Sequence, residues 1–226
     1  FLQAGITAEK DAGENFLGGN QPYGFDFYSA HLQAKNIGKI KNVIIGDYQM
    51  NFGQGLVMQS GMSFGKSSEV INIQKSGNLI KAHTAAAENL FFRGTAIQIE
   101  PLKNLELIIF LSSHKVDANI VDTLENEELA FSSIQGIGMH RTESELLDKN
   151  VILQNHFGTH LNYNYKQLNL GLSYYKTKIE GEYQKNISAY NQFDFNGNSN
   201  QNFGIDYQYL YRNMNFFGEV GRSENG

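Results

Sequence analysis

The sequence predicts an all-β chain, an antiparallel up-and-down transmembrane β-barrel with about nine strands in this segment. Three observations predict it. Side chains alternate with period two over segments of about 9 to 13 residues. Short and long connections alternate strictly along the chain. Tyrosines gather at the strand ends beside the short connections, where an interfacial aromatic girdle belongs.

The strands follow in order. Residues 1–9 open the chain. Segment 25–34 sets Tyr28, Ala30, Leu32 and Ala34 against Ser29, His31 and Gln33. Segment 43–52 sets Ile44, Gly46, Tyr48, Met50 and Phe52 against Val43, Ile45, Asp47, Gln49 and Asn51. Segments 90–100 and 104–114 alternate more weakly. Segment 155–165 opposes Phe157, Thr159, Leu161, Tyr163 and Tyr165 to His156, Gly158, His160, Asn162 and Asn164. Segment 167–177 places Leu168, Leu170, Leu172 and Tyr174 opposite Asn169, Gly171, Ser173 and Tyr175. Segment 203–211 is the clearest, with Phe203, Ile205, Tyr207, Tyr209 and Tyr211 opposite Gly204, Asp206, Gln208 and Leu210. Segment 213–222 closes the series.

Short turns fall at 36–39, 101–104, 165–166 and 212–213, and long polar connections at about 10–23, 53–88, 116–150 and 179–200. In a meander, alternate connections lie at opposite ends of the sheet. All the short turns therefore share one end, which is the asymmetry of outer-membrane barrels. Within the long connections, Thr142 and Glu145 have capping-box spacing, so a short helix is expected in 140–149. A small extra strand is expected at Val70–Gln74.

Composition agrees. The chain has 226 residues, 16 Phe, 12 Tyr, no Trp, 23 Gly and only 2 Pro, a mix suited to strands and turns. Net charge is −5, which argues against a nucleic-acid footprint. Cysteine is absent, excluding disulfide and thiolate chemistry. No apolar run approaches the ~20 residues of a transmembrane helix. A barrel escapes that test because only every second strand residue faces lipid.

The expected lipid-facing set is Tyr28, Leu32, Tyr48, Phe52, Leu161, Tyr163, Leu168, Leu170, Leu172, Phe203, Ile205, Tyr207 and Tyr209. The expected lumen-facing polar set is His31, Asp47, Gln49, Asn51, His156, His160, Asn162 and Asp206. Arg93 and Glu106 could join a lumen network with Asp47, Gln49 and Asn51. Nine is an odd count, whereas bacterial single-chain barrels have even numbers of strands. The expectation is a single barrel domain over 1–226, part of a larger barrel with further strands.

No catalytic constellation emerges, so no enzyme, cofactor or metal is expected. His156 and His160 stand four apart, but on a strand rising about 3.3 Å per residue they lie roughly 13 Å apart and cannot share an ion. Asp11 and Glu14 lack EF-hand spacing and read as a solvated loop. Gly65-Lys66-Ser67 lacks the P-loop glycine, because Ser60 occupies its position. Gly53-Gln54-Gly55 reads as a flexible entry to the barrel mouth, and Gln135-Gly136-Ile137-Gly138 as a loop turn.

Several runs resemble a family of Bacteroidetes outer-membrane proteins usually described as helix-hairpin-helix domain proteins. They are Ala8–Glu14, Gly46–Leu56, Phe64–Glu69, Glu88–Gly94 and Met139–Leu146. The resemblance spans most of residues 1–150. It implies an outer-membrane location, a longer chain and a periplasmic helical module preceding the barrel, expected to lie outside this segment. It implies no reaction. The expected function is a channel or scaffold in the outer membrane, with lipid and other envelope proteins as partners and no nucleic acid bound by this segment. The alternative is a soluble all-β module that binds a carbohydrate or a protein ligand.

Overall fold

The fold comes from a computed structural model that describes residues 1–18, 24–61, 73–75, 79–123, 129–136, 138–184, 188–192 and 194–224. Nine long strands form one meander: β1 (Leu2–Glu9), β2 (Phe27–Ile37), β3 (Ile40–Met50), β5 (Phe92–Leu102), β6 (Leu105–Val116), β9 (Ile152–Tyr165), β10 (Leu168–Tyr183), β11 (Gly197–Tyr211) and β12 (Met214–Ser223). They pair in that order, each antiparallel to the next. The sheet is open, since β1 and β12 are its unjoined edges. Three short strands lie within the long connections: β4 (Ile80–Ala82), β7 (Ala118–Thr123) and β8 (Leu129–Ile134). β4 pairs with β3, β7 with β8, and β8 runs parallel to the end of β10.

The strands exceed their expected limits mainly at the long-connection end. β9 begins at Ile152, β10 runs to Tyr183 and β11 begins at Gly197. Polar stretches such as Lys176-Thr177-Lys178 and Asn200-Gln201-Asn202 remain paired there although the apolar alternation has faded. The four short turns use left-handed residues: Asn36, Asn104, Lys166 and Arg212 all have positive φ. The helix in 140–149 is α1 (Glu143–Leu147), and both hydrogen bonds of the Thr142–Glu145 capping box are made. Of the strand expected at 70–74, residues 70–72 lie outside the described residues, as does Gly65-Lys66-Ser67.

The two faces of the sheet differ in kind. One face is open and apolar. Leu107, Leu161, Leu172, Ile205 and Val220 stand in register across five strands. Nearer the short turns, Leu105, Tyr163, Leu170 and Tyr207 form a second row, and Tyr165, Leu168, Tyr209 and Phe216 a third. Lys166 and Arg212 stand over the rings of Tyr165 and Tyr211 at the turns themselves. The opposite face is covered. It buries Ser29, His31, Gln33, Asn42, Ser112, His114, His156, His160, Asn162, Ser173 and Asp206 around an apolar cluster of Ile44, Tyr48, Met50, Phe52, Phe92, Ile108 and Phe110.

Tyr48 and Phe52, expected on the lipid-facing side, belong to that cluster and are 0 % and 1 % exposed. β2 and β3 pair only as far as His31–Gly46, and beyond it β3 takes β4 as its neighbour instead. Gly46 has φ +104°, and a Cβ there would lie 2.2 Å from the Ala30 carbonyl oxygen. β3 keeps β5 as its other neighbour as far as Tyr48–Phe92, and after Met50 the chain turns over the covered face as a hairpin. In it Phe52 N–H donates to Met58 O at 3.0 Å and Ser60 N–H to Met50 O at 2.9 Å. The other eleven residues of the expected lipid-facing set are exposed or half-buried.

Gly46→Ala is expected to lower unfolding free energy by about 3 kcal/mol, because it adds a backbone clash to a left-handed conformation. Gly38→Ala, at φ +60° with nothing within 4 Å, is the control and should cost about 1 kcal/mol. Chemical unfolding in detergent measures both, and equal losses would refute the crossing at Gly46.

Candidate functional site

Two regions concentrate polar chemistry: the covered face, and a charged cluster where the long connections meet. The eight polar residues expected to face a lumen are all withdrawn from solvent, seven buried and Asn51 half-buried. Asp47 takes a two-point ion pair from Arg93, at 2.7 Å and 2.8 Å, and Arg93 also donates to the Tyr28 carbonyl. Gln49 Nε2 donates to Leu90 O at 3.0 Å. Glu106 stands apart from this pair and accepts from Gln98 at 3.0 Å. His160 Nδ1 lies 2.9 Å from Ser173 Oγ, and its ring stacks on Phe52 at 4.5 Å. His156 lies 2.8 Å from the Tyr175 hydroxyl and stacks on that ring. Each histidine is thus wedged among aromatic rings, where a neutral imidazole is the cheaper form.

The hairpin fills this space. Its tip reaches β12, where the Glu219 carboxylate accepts the backbone N–H groups of Gln54, Leu56 and Val57 at 2.7, 2.9 and 3.0 Å. Val57 packs onto Gly204 and Gly221, neighbours on β11 and β12. Any Cβ at those positions would strike Val57 Cγ2 at 2.7 and 2.9 Å. The Gly53-Gln54-Gly55 run, expected to be a flexible entry, is therefore the fixed tip of an insertion that spans the covered face.

The second region was not legible from spacing. His140 sits 5 % exposed between Asp26, at Nδ1, and Asp117, 2.8 Å from Nε2. Its backbone N–H donates to Glu14 Oε1 at 2.8 Å. Lys149 pairs with Asp26, and Asn150 N–H donates to Asp117 at 2.7 Å. Glu88 completes the ring of carboxylates and lines an adjoining cavity of about 240 Å³ with Asp26, Asp117 and Lys149. Glu14, weighed from sequence only as a loop ligand, belongs here; Asp11 bonds back to it through its backbone N–H at 3.0 Å. Gln135, expected in a loop turn, follows β8 and donates to Asn119 and Asp148.

Burial alone would pull the His140 pKa down. Hydrogen bonds to Asp117 and Asp26, with their charge, override burial and carry it up to about 9. Burial, reinforced by the charge of Asp26, pushes Glu88 up to about 8. Two triads, Glu14–Asp26–His140 and Glu88–Asp117–His140, have ligand atoms within 4.8 Å of one another. With both ring nitrogens of His140 engaged by carboxylates, the cluster is an ion-pair knot joining the connections after β1, β4, β6 and β8.

Comparison with protein-family models, with curated proteins and with solved structures finds no match to this chain. The class that the fold and site define is an open antiparallel β-meander with an apolar outer face and a polar, hairpin-filled inner one.

The knot gives a pH prediction. A folded His140 pKa raised to about 9 contributes stability that is complete below 6.5 and lost as pH rises toward 9. A Glu88 pKa raised to about 8 acts in the same direction, since the unfolded chain gives up that proton at lower pH. Protease nicking of the long connections should therefore accelerate as pH rises from about 6.5 to about 9. His140→Gln should nick fast at every pH and flatten the profile; an unchanged slope would sink the assignment.

Proposed function

We propose that this chain is the wall of a bacterial outer-membrane β-barrel that acts as a scaffold or channel, with its interior filled by the hairpin at 50–60. The observation that carries the reading is the inversion of polarity. The face turned to solvent bears rows of Leu, Ile, Phe and Tyr across the meander, while the covered face buries histidines, amides and carboxylates. Soluble monomers rarely expose an apolar patch beyond several hundred Å². Hydrocarbon is the solvent in which such a face is stable.

The location of the short turns, tyrosine rows and overlying Lys166 and Arg212 at one end supports an interface there. Open edges are not viable in lipid. The reading therefore requires β1 and β12 to be joined, by further strands or by another copy.

The proposal includes kinship with the Bacteroidetes outer-membrane family resembled above. In support, three of the resembling runs supply Glu14, Glu88 and His140 of the ion-pair knot, and a fourth, Gly46–Leu56, covers the end of β3 and the first part of the inserted hairpin. No reaction is assigned. Lipid and other envelope proteins are the proposed partners, and the hairpin favours a scaffold or gated pore over an open one.

The test is extraction of the protein from envelopes, then gel mobility in SDS with and without boiling. Membrane retention with a faster unboiled band is expected; release into buffer without a heat-dependent shift would favour the soluble binding module instead. In planar bilayers the wild type should conduct little. Glu219→Ala, which frees three backbone N–H groups at the hairpin tip, should raise conductance. An open wild-type pore would contradict the plug.

A further inference from the structure

Beneath the hairpin, on the short-turn side, lies a cavity of about 250 Å³ between the segments at 51–54 and 74–75 and strands β9 to β11. Three of its lining atoms are buried oxygens with no hydrogen-bond partner: Asn51 Oδ1, Asn162 Oδ1 and Asp206 Oδ2. Asn162 and Asp206 are each only 8 % exposed. A buried carboxylate oxygen without a partner is costly, and so is an orphaned amide carbonyl. Here three of them share one space, and every one is an acceptor.

The sheet register explains how they meet. Asn162, Gly171 and Asp206 stand side by side on β9, β10 and β11. Strands about 4.8 Å apart would hold the outer two roughly 10 Å from each other. Gly171 leaves the middle position empty, and the Asp206 carboxylate leans into it: a Cβ at Gly171 would fall 2.1 Å from Asp206 Oδ2. On the far side Asp206 pairs in register with Glu219. The bonds that Glu219 accepts come from neutral N–H groups, so its charge is left uncompensated by them. Lys75 is the one cationic residue lining the cavity among the described residues, and it donates to Gln59 Oε1 at 2.7 Å.

We propose that this cavity binds a hard divalent cation of the Ca²⁺ class, held by Asp206, Asn162 and Asn51 with water filling the remaining positions. The donors are all oxygen, which selects against zinc and copper. Donors drawn from a hairpin and two strands suit Ca²⁺, which accepts six to eight oxygens in flexible geometry, better than Mg²⁺, which demands a near-ideal octahedron. Two carboxylates within one register pair favour a divalent over a monovalent ion. Because Asn51 belongs to the hairpin and Asp206 to the wall, the ion would clip the hairpin in place. The site does not depend on the membrane reading, since its residues face the covered side in either case.

The experiment uses the whole chain in mild detergent, titrated with CaCl₂ by calorimetry and melted in Ca²⁺, Mg²⁺, Na⁺ or EGTA at equal ionic strength. Expected are one bound Ca²⁺ with a Kd of about 10⁻⁴–10⁻³ M, a higher melting temperature in Ca²⁺ than in Mg²⁺ or Na⁺, and weakening of at least about tenfold in Asp206→Asn. Asn162→Ala should show the same loss and serves if Asp206→Asn does not fold. No binding to the wild type at about 10 mM Ca²⁺ would overturn the proposal. So would unchanged affinity in a folded variant, or a wild type insensitive to Ca²⁺ that Asp206→Asn stabilises in EGTA, since Asp206 would then simply carry a proton.

Discussion

The change of partner along β3 depends on one steric allowance, the missing side chain at Gly46. In a meander each strand is held by two neighbours, and leaving that arrangement costs hydrogen bonds on both sides. β3 departs from β2 at Gly46, and β4 replaces the lost partner. Tyr48, Met50 and Phe52 continue the inward row begun by Ile44, and together these residues form an apolar cluster with Phe92, Ile108 and Phe110. The Tyr48 hydroxyl reaches across to the Leu111 carbonyl at 2.7 Å, so the turn inward is held by a hydrogen bond as well as by packing. The hairpin, its anchor on Glu219 and the cavity beneath it all lie beyond that change of partner.

The covered face solves two problems together. It must satisfy many buried polar groups, and it must fill the space over a broad sheet. Glycines at 158, 171, 204 and 221 make the filling possible by leaving hollows into which a neighbour settles. Phe110 lies over Gly158, Asp206 over Gly171, and Val57 over Gly204 and Gly221. Small and large residues thus interlock as they do in any close-packed interior. Histidine suits the boundary between these regimes. His83, His114 and His156 stack on Phe91 or Tyr175 through their ring faces. Their nitrogens remain available to hydroxyls and carbonyls.

The meander was legible in the sequence because alternation, turn residues and connection lengths are local signals that agree with one another. All nine long strands and all four short turns fall where the pattern puts them. What could not be read was the direction in which β3 points. Ile44, Tyr48, Met50 and Phe52 alternate as cleanly as any outward-facing row, and period two says which residues share a face but not which face is covered. That choice rests on what packs over the face, including a hairpin whose tip is held at Glu219, more than 160 residues away. The ion-pair knot was hidden for the same reason. Glu14 and Asp26 share one connection, Glu88, Asp117 and His140 come from three others with no common spacing, and only the meander brings them together. The capping box at Thr142 and Glu145 was readable because its whole mechanism lies within four residues.

The unequal lengths of the two sets of connections also govern how such a chain can change. Tight turns with left-handed Asn, Lys or Arg residues fix the relative height of adjacent strands to the residue, so an insertion there would slide one row of side chains past the next. At the opposite end the strands simply run out into loops. There the entropy of closing a connection grows only with the logarithm of its length, about 0.6 kcal/mol for each doubling. One rim of the sheet is thus a rigid datum, and the other is open to elaboration at little thermodynamic cost, the asymmetry expected of a frame that can acquire new surface without refolding its wall.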